Sequence, residues 1–514
     1  MLTVIVTALA LALVVPYFVK LFRVLSSTRG QPGFIALFAP YAVSPALFFS
    51  QSRPRVFFSR NGVWFQKADL HAKYGSTVLL VPSLVPPKVT VLVGEGKLIT
   101  DINADRKTFT KSENSNAPVL CQYGQNLLTA DGENWRRHRR VAVSSFSERN
   151  VREVWDEAGK ITREWHGRME MDAEGRTLVK GVEEVIGKCA FGVTFPWPSP
   201  SSSFSSAGAT SRLSFEAASS IVLHDFLPVA VLGQWALHLP FTKLRRLKMG
   251  YEQFEEMLKD MVATRKEEIS SGHADGKHDL LMSDAYIFVV AGHETSANSL
   301  STLFALLALY PEHQAAVHSE ITAYLRSSAS FSDPAAFNAL PVTMATIQEG
   351  LRLAGPVSTT MKRAVRETWL QASDTRGGKR AVYVPEGSEI RENVSGAHYN
   401  AESWPDPFDF NPSRFLQKDW DRESFLPFSS RLRGCIGKQF ALAEMVVVLA
   451  LTLEKYRVEM PAHKVEEWKL REGEVERERR ERVFQPAWPI TMSPRGIDLA
   501  FVRRGEAREE AGAA

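Results

Sequence analysis

Cysteine is scarce in this chain of 514 residues, and its placement argues against two classes of protein. The three cysteines, Cys121, Cys189 and Cys435, are odd in number and far apart, which argues against a disulfide framework. No Cys-x-x-Cys pair is present, so the sequence does not predict a structural zinc site. A reducing compartment fits this cysteine usage best.

The sequence also lacks the patterns of nucleic-acid binding, of nucleotide binding and of internal repeats. The formal net charge is only +4, a mild basicity that does not indicate a nucleic-acid partner. No Gly-x-Gly-x-x-Gly fingerprint appears, so the sequence predicts no flavin or nucleotide site of its own. No internal repeat is visible, and 44% hydrophobic residues are ample for the core of one large domain.

The N-terminus carries the clearest physical feature. No residue from Leu2 to Val19 is charged, and as a helix this segment extends roughly 27 Å, close to the hydrocarbon thickness of a bilayer. Lys20, Arg23 and Arg29 follow, which predicts that the C-terminal side faces the cytosol. The rival interpretation, a cleaved signal peptide, lacks its basic residue before the run and its small-residue cleavage site after it.

We therefore expect a single-pass signal anchor over residues 1–22, followed by a linker over residues 23–54. Within that linker, Phe34–Phe49 is apolar but broken by Pro40 and Pro45, so it is expected to lie in the membrane interface. The alternative is a buried N-terminal segment of the globular domain.

The rest of the chain is predicted to be mainly helical. Two short strands are expected at Thr77–Val81 and Val89–Val93. Helices from about Ser283 to Tyr310 and from about Ile436 to Tyr456 are apolar on nearly all faces, which is typical of buried core helices.

Three polar segments separate or follow these elements. Residues 196–211 are rich in Ser and Pro and residues 270–279 are polar, so both are predicted to be loops. Residues 463–483 are dense in Glu, Arg and Lys and are interpreted as a solvated face without assigned function.

The segment around Cys435 has the chemistry of a thiolate ligand. Cys435 stands just before the first turn of a buried helix, where unpaired N–H groups and the helix dipole stabilise a thiolate. Gly434 and Gly437 allow a flat cofactor to approach the backbone, Phe428 can shield the sulfur, and Arg433 can bind a carboxylate. The alternative is a structural cysteine buried as a small hydrophobe.

This segment resembles the haem-binding loop of the cytochrome P450 superfamily, Phe-x-x-Gly-x-Arg-x-Cys-x-Gly. Phe428, Arg433, Cys435 and Gly437 match in register, whereas Arg431 stands where the family usually has Gly. If that position needs φ > 0, the departure costs on the order of 1 kcal/mol. The resemblance implies a mainly α fold with a smaller β region, and Cys435 as the axial ligand of the haem iron.

The helix expected over residues 283–310 contains Ala291-Gly292-His293-Glu294-Thr295, which resembles the family's central-helix pattern Ala-Gly-x-Glu/Asp-Thr. Gly292 can make room beside a flat ring, and the Thr295 hydroxyl can bond a carbonyl of its own helix. The resemblance implies that Glu294 and Thr295 deliver the protons for dioxygen activation. A helix packed with small residues is the alternative. A zinc protease motif is excluded because Ala297 occupies the second histidine position.

Glu349 and Arg352 are three residues apart on one predicted helix face. In the family this Glu-x-x-Arg pair is buried and is joined by the Arg of a later Pro-x-Arg-Phe motif, here Arg414. The segment Trp404–Pro407 also resembles the family. The resemblance implies a structural role for these residues behind the haem.

Trp135 and Arg139 match the family's Trp-x-x-x-Arg helix and, four residues apart, can both face a haem propionate. The other arginines of that basic run, Arg136, Arg137 and Arg140, point elsewhere and form either a docking face for an acidic reductase or a solvated surface. A further propionate ligand is expected at Lys362 or Arg363, and the register leaves both open.

The resemblance covers roughly residues 55–500 and is closest to fungal microsomal members. It implies a haem-thiolate catalytic domain over residues 55–505, with a disordered tail over residues 506–514. The cofactor is haem b, iron protoporphyrin. The implied reaction inserts one oxygen atom from dioxygen into an apolar small molecule, with NADPH-derived electrons from a separate flavoprotein reductase. The expected location is the endoplasmic reticulum membrane, with the catalytic domain in the cytosol.

Three alternatives remain. The same fold could act as an isomerase or dehydratase on a peroxide, although such members often lack the acid–alcohol pair that Glu294 and Thr295 supply. A non-catalytic membrane haem-binding protein is the second. A cysteine hydrolase built on Cys435 is the third, and it requires the Phe, Arg and Gly matches to be accidental.

Overall fold

The computed structural model describes residues 2–38, 67–112, 120–169, 171, 175–179, 213, 215–225, 228–229, 233–269, 278–327, 331, 336–374, 377–484, 486–487, 491–494 and 497–505. Outside these residues lie Cys189, the predicted loop over residues 196–211, most of the loop over residues 270–279, the second half of the interfacial segment and the expected tail over residues 506–514.

The helices are α1 (Leu2–Thr28), α2 (Asp69–Tyr74), α3 (Gly96–Ala104), α4 (Gly132–Val143), α5 (Glu148–Gly167), α6 (Phe215–His224), α7 (Thr242–Ile269), α8 (His278–Leu309), α9 (Pro311–Ser327), α10 (Ala336–Ala339), α11 (Pro341–Ala354), α12 (Val394–His398), α13 (Lys438–Lys455), α14 (Val465–Trp468) and α15 (Glu476–Val483). The strands are β1 (Ala36–Phe38), β2 (Val78–Val85), β3 (Lys88–Val93), β4 (Phe109–Lys111), β5 (Arg176–Val179), β6 (Thr359–Ala364), β7 (Thr368–Ser373), β8 (Lys379–Val384), β9 (Glu389–Asn393), β10 (Tyr456–Glu459), β11 (Pro486–Ala487), β12 (Ser493–Pro494) and β13 (Leu499–Arg503).

The chain divides into two compact units, which are described separately. The first comprises residues 1–116, 357–408 and 421–435. It contains a sheet of strand order β1-β2-β3-β9-β6-β4 and the hairpin β7-β8. The second comprises residues 117–356, 409–420 and 436–514 and is mainly helical, with a sheet of order β10-β13-β5. The prediction of a mainly α protein with a smaller β region is confirmed.

Strands β2 and β3 of this sheet are buried on both faces, which explains why their sequences are mainly apolar. Strands β2 and β3 pair antiparallel with Leu80 opposite Val91, and β3 continues parallel to β9. Side chains alternate between the faces: Leu80 and Val91 pack with helix α3 and the β7-β8 hairpin, whereas Leu79 packs with Phe34 and Leu70.

Helices α8 and α13 form the buried centre of the second unit, as their sequences predict. Every residue from Leu300 to Leu309 is buried, and so is every residue from Leu442 to Leu453. Helix α8 begins at His278, five residues before the predicted start, and α13 begins at Lys438, two residues after the predicted one.

Helix α1 includes residues 2–22 of the predicted anchor and continues to Thr28. Its C-terminal half contacts the sheet of the first unit: the Tyr17 hydroxyl donates to the Leu84 carbonyl at 2.8 Å, and Val24 packs against the core there. Within the described part of the chain, no helix combines the length and the hydropathy needed to cross a membrane. The membrane anchor therefore stays a prediction.

Candidate functional site

The loop that precedes α13 presents Cys435 to solvent. The Cys435 N–H donates to the Phe428 carbonyl at 2.8 Å, and the Gly434 N–H donates to the Arg431 carbonyl at 3.0 Å. These bonds close the loop at its base and turn the Cys435 side chain outward, where it is exposed and forms no disulfide. Phe428 and Arg433 are both half-buried.

Arg431 adopts the left-handed backbone conformation, with φ 58°. This is the position where the sequence departs from the haem-loop pattern, and the structure accounts for the usual glycine: a side chain there is strained by about 1–2 kcal/mol. The Arg431 guanidinium donates to Glu423 at 3.0 Å, but both side chains are about half exposed, so the pair offsets little of that strain.

The same loop is anchored by polar side chains of helix α3 that the sequence analysis did not identify. The Ser430 hydroxyl bonds with the Thr100 hydroxyl at 3.2 Å and accepts from the Asn103 amide at 3.1 Å. Thr100 and Asn103 are three residues apart, so both face the loop. Their polarity on an otherwise apolar helix face was the only available sequence signal.

Helix α8 borders open space near its middle. Ala291 and Gly292 are exposed within a helix whose other middle residues are buried or half-buried, and a Cβ built on Gly292 would meet no atom within 4 Å. The Thr295 hydroxyl donates to the Ala291 carbonyl at 2.6 Å, which is the backbone hydrogen bond that the sequence predicts.

Glu294 is buried beside this opening, with its two carboxylate oxygens in different surroundings. Oε1 accepts the Thr491 N–H at 3.1 Å. Oε2 is also buried but has no hydrogen-bond partner among the described residues. A buried carboxylate oxygen without a protein partner is costly unless a water molecule or a bound group satisfies it, so Oε2 can accept a hydrogen bond from either.

Helix α4 carries the predicted propionate ligands on one face. Trp135 is buried, Arg139 is half-buried, and the guanidinium carbon of Arg139 lies 5.7 Å from the Trp135 ring centre. Arg136, Arg137 and Arg140 are exposed. The helix therefore separates one Trp–Arg pair from a basic outer face.

Strand β6 places the two remaining propionate candidates on opposite faces. The Lys362 side chain is buried and that of Arg363 is exposed, because successive residues of a strand point to opposite faces. Burial raises the pKa of Glu392 on the neighbouring strand β9, while the charge of Lys362 and the Thr360 hydroxyl oppose the rise. Lys362 is thus the cation that faces the interior.

Comparison with known proteins settles the family. The family model for cytochrome P450 matches residues 56–477, well over half of the chain. The chain belongs to the cytochrome P450 family. Membership makes this protein an oxidoreductase enzyme, and it implies a haem cofactor and haem-dependent monooxygenase activity.

Similar cytochromes P450 occur in fungi and in mammals. Cytochrome P450 monooxygenase 124 of Postia placenta is 29% identical to this chain, over 87% of the chain and 90% of that relative. Cytochrome P450 monooxygenase ORF6 of Penicillium roqueforti is 22% identical, over 77% of the chain and 78% of that relative. Human cytochrome P450 4F11 is 29% identical, over 66% of the chain and 69% of that relative.

The residues present in this cytochrome P450 fit a haem. The Cys435 thiol is exposed at the end of a closed loop, so its sulfur is accessible as a ligand. The opening at Gly292 leaves room that a larger side chain would fill. Arg139, Arg433 and Lys362 are half-buried or buried cations of the kind that bind propionates. The loop belongs to the first compact unit, and Gly292 and Arg139 belong to the second.

The structure brings together the three predicted structural residues of the cytochrome P450 scaffold. Glu349 Oε2 accepts the Arg352 Nε–H at 2.7 Å. Its Oε1 accepts Arg352 Nη2 at 2.8 Å, the Asn411 N–H at 2.9 Å and Arg414 Nε at 3.2 Å. Arg352 and Glu349 are completely buried, so a single carboxylate ties helix α11 to the turn over residues 411–414.

Two buried hydrogen-bonded pairs, each containing an acidic side chain, were not identified by the sequence analysis. The Ser296 hydroxyl of α8 donates to Glu444 Oε2 of α13 at 2.9 Å, and burial raises the pKa of Glu444 well above its usual value. His138 Nδ1 of α4 lies 2.8 Å from Asp284 Oδ2 of α8. Burial raises the pKa of Asp284, while the bonds from His138 and the Leu127 N–H oppose the rise.

Both pairs join segments more than a hundred residues apart in the chain. Short motifs describe local backbone, so they give no signal for such contacts.

Proposed function

We propose that this cytochrome P450 inserts one oxygen atom from dioxygen into an apolar small molecule. The Cys435 sulfur would bind the iron of haem b, Phe428 would shield that sulfur, and Gly437 would leave space for the cofactor. The observation that carries this proposal is the exposed Cys435 thiol, held outward by the hydrogen bond from its own N–H to the Phe428 carbonyl.

The propionates of the haem would be held by cations of this chain. Arg433, Arg139 and Lys362 would supply charge-assisted hydrogen bonds, and Trp135 packs against the Arg139 side chain. When bound, the haem supplies the site at which dioxygen is reduced and split.

Proton delivery is assigned to α8. Glu294 takes up and releases a proton at Oε2, the oxygen that has no other partner among the described residues. Thr295 accepts that proton at its hydroxyl oxygen and gives up its own, after the O–H turns away from the Ala291 carbonyl to which it now donates. Both groups are positioned before any reaction, which is the condition for efficient general acid catalysis.

The test of this proposal compares Cys435→Ala with Cys121→Ser, a change at a half-buried cysteine outside the loop. The purified proteins are reduced, exposed to carbon monoxide and measured by difference spectroscopy. We expect a strongly red-shifted Soret band in the wild type and in Cys121→Ser that is lost in Cys435→Ala. A band typical of imidazole ligation, or a red-shifted band that survives Cys435→Ala, overturns the assignment.

Electrons are proposed to come from NADPH through a separate flavoprotein reductase that docks on the basic face of α4. Arg137 and Arg140 are exposed there. Reversing both charges should raise the reductase concentration needed for half-maximal reduction and weaken its dependence on salt. Arg149→Glu, an exposed change on helix α5, is the matched control. Equal effects in both variants contradict docking on α4.

Residues 1–22 are proposed to anchor the enzyme in the endoplasmic reticulum membrane, with the catalytic part in the cytosol. Support comes from the C-terminal half of α1, where the side chains of Phe18 and Phe22 are 58% and 74% exposed. On strand β1, Ile35 and Leu37 are exposed as well. Exposed apolar side chains on neighbouring elements fit contact with lipid, and an apolar substrate would reach the enzyme through the same membrane.

A further inference from the structure

One loop contacts two side chains on the same face of helix α8. Glu294 and Asn298 are four residues apart and therefore lie one above the other on the helix. The Thr491 N–H donates to Glu294 Oε1 at 3.1 Å, and Asn298 Nδ2 donates to the Thr491 hydroxyl at 2.9 Å. All three residues are at least nine-tenths buried. Thr491 is thus held to the helix by its backbone and by its side chain together.

The next residue of the loop is held from another direction. The Met492 N–H donates to the Pro356 carbonyl at 2.8 Å, and the Met492 side chain is buried. Strand β12 then begins at Ser493 and pairs with β11. The peptide N–H that reaches Glu294 therefore belongs to a short segment whose position is determined by Asn298 on one side and Pro356 on the other.

The two carboxylate oxygens of Glu294 therefore differ in their hydrogen bonding. Oε1 is engaged by the loop, whereas Oε2 is buried and has no hydrogen-bond partner among the described residues. A hydrogen bond to one oxygen restricts rotation of the carboxylate, so its other oxygen has a preferred direction. For a group that transfers protons, such fixed geometry matters because a misplacement of about 1 Å can cost as much as ~100-fold in rate.

We propose that Thr491 is a positioning residue for Glu294 and that Asn298 anchors it. The Thr491 N–H fixes Oε1, and Oε2 alone releases the proton and regains one from water, so that the carboxyl group returns to its starting state. This inference rests on the proposed role of Glu294 as proton donor. It adds to that role a contact from a loop 197 residues further along the chain.

The experiment uses a matched pair at Thr491 and a matched pair on α8. Thr491→Val removes the hydroxyl that Asn298 binds, and Thr491→Ser keeps it. Asn298→Ala removes the anchor from the helix side. Ser301→Ala removes a buried hydroxyl that donates only to the Ala297 carbonyl of the same helix, so it reports on packing alone. Glu294→Gln is the reference variant, because it removes the carboxylic acid itself.

The first measurement is hydrogen–deuterium exchange of the peptide that contains Thr491, in the full-length haem-loaded protein. Loss of one buried hydrogen bond should speed exchange about tenfold in Asn298→Ala and Thr491→Val. Thr491→Ser and Ser301→Ala should exchange like the wild type. Unchanged exchange in the first two variants overturns the anchoring by Asn298.

The second measurement is hydrogen peroxide formed per NADPH consumed with a purified flavoprotein reductase, in H₂O and in D₂O, without added substrate. We expect Asn298→Ala and Thr491→Val to change the peroxide fraction and the solvent isotope effect in the same direction as Glu294→Gln, by roughly two- to tenfold. Thr491→Ser should restore the wild-type values.

The outcomes separate the inference from the function on which it rests. If Glu294→Gln changes both quantities and the two anchor variants do not, the positioning role is wrong while the role of Glu294 stands. If Glu294→Gln changes neither, its role as proton donor fails and the inference fails with it. The carbon monoxide spectrum of each variant separately reports that the haem-thiolate centre is intact.

Discussion

At the scale of single residues, Arg431 is the clearest departure from what its position requires. Its φ of 58° suits glycine, and its exposed ion pair with Glu423 contributes little. Arg431→Gly and Arg431→Ala both lose the ion pair, so their difference isolates the backbone. We expect the Gly variant to be more stable than the Ala variant by about 1 kcal/mol, measured by urea unfolding of the haem-loaded protein. Equal stability would mean that the loop relaxes around any side chain.

A second residue-scale prediction concerns the buried carboxyl Glu444, whose pKa is raised by burial above its ordinary value of 4.5. Because the folded pKa is raised, its contribution to stability is complete below about pH 4.5 and is lost as pH rises towards the folded pKa. The loss amounts to about 1.4 kcal/mol for each pH unit within that window.

Glu444→Gln should therefore gain stability relative to the wild type between pH 5.5 and pH 7.5, since the amide does not titrate. Urea unfolding at both pH values measures the change. Glu454→Gln, on the same helix but half-buried, is the control and should show no comparable gain. A pH dependence in Glu444→Gln identical to that of the wild type would show that Glu444 does not titrate in this range.

At the scale of elements, the sequence predicts most where a motif describes a single helix or turn. The Glu349–Arg352 pair was predicted because residues three apart share a helix face. The back-bonded hydroxyl of Thr295 was predicted for a similar local reason. The sequence did not predict which of Lys362 and Arg363 is buried. Strand β6 has polar residues on both faces, and its sequence does not say which face is buried. The contact of Thr491 with Glu294 depends on packing between distant segments, which no local pattern encodes.

The junction of α11 with the turn over residues 411–414 leads to a prediction about stability. Glu349→Gln leaves the buried guanidinium groups of Arg352 and Arg414 without a carboxylate, so we expect a loss of about 3–5 kcal/mol in the free energy of unfolding. Glu157→Gln, which removes a partner of the more exposed Lys160, should cost less than about 1 kcal/mol. Denaturant unfolding compares the two variants. Equal small losses would mean that the three-residue cluster does not hold these elements together.

At the scale of the whole molecule, helix α1 combines two roles that truncation can separate. Residues 1–22 are the proposed anchor, and Tyr17 near its C-terminal end and Val24 beyond it contact the sheet and core of the first unit. Deletion of residues 2–13 should release the protein from alkali-washed membranes and leave these contacts in place. Deletion of residues 2–28 should release it as well, and should also lower the free energy of unfolding by about 1–2 kcal/mol, because one hydrogen bond and some apolar burial are lost.

Membrane sedimentation and thermal unfolding, applied to both deletions, give independent answers to the two parts of this prediction. Retention of the shorter deletion in the washed membrane pellet would contradict the anchor, since about ten residues of the apolar run would then be dispensable. Equal melting temperatures for both deletions would instead mean that the Tyr17 and Val24 contacts contribute nothing to the first unit. A lower melting temperature in the longer deletion alone would show that those contacts stabilise the catalytic domain, independently of the sedimentation result.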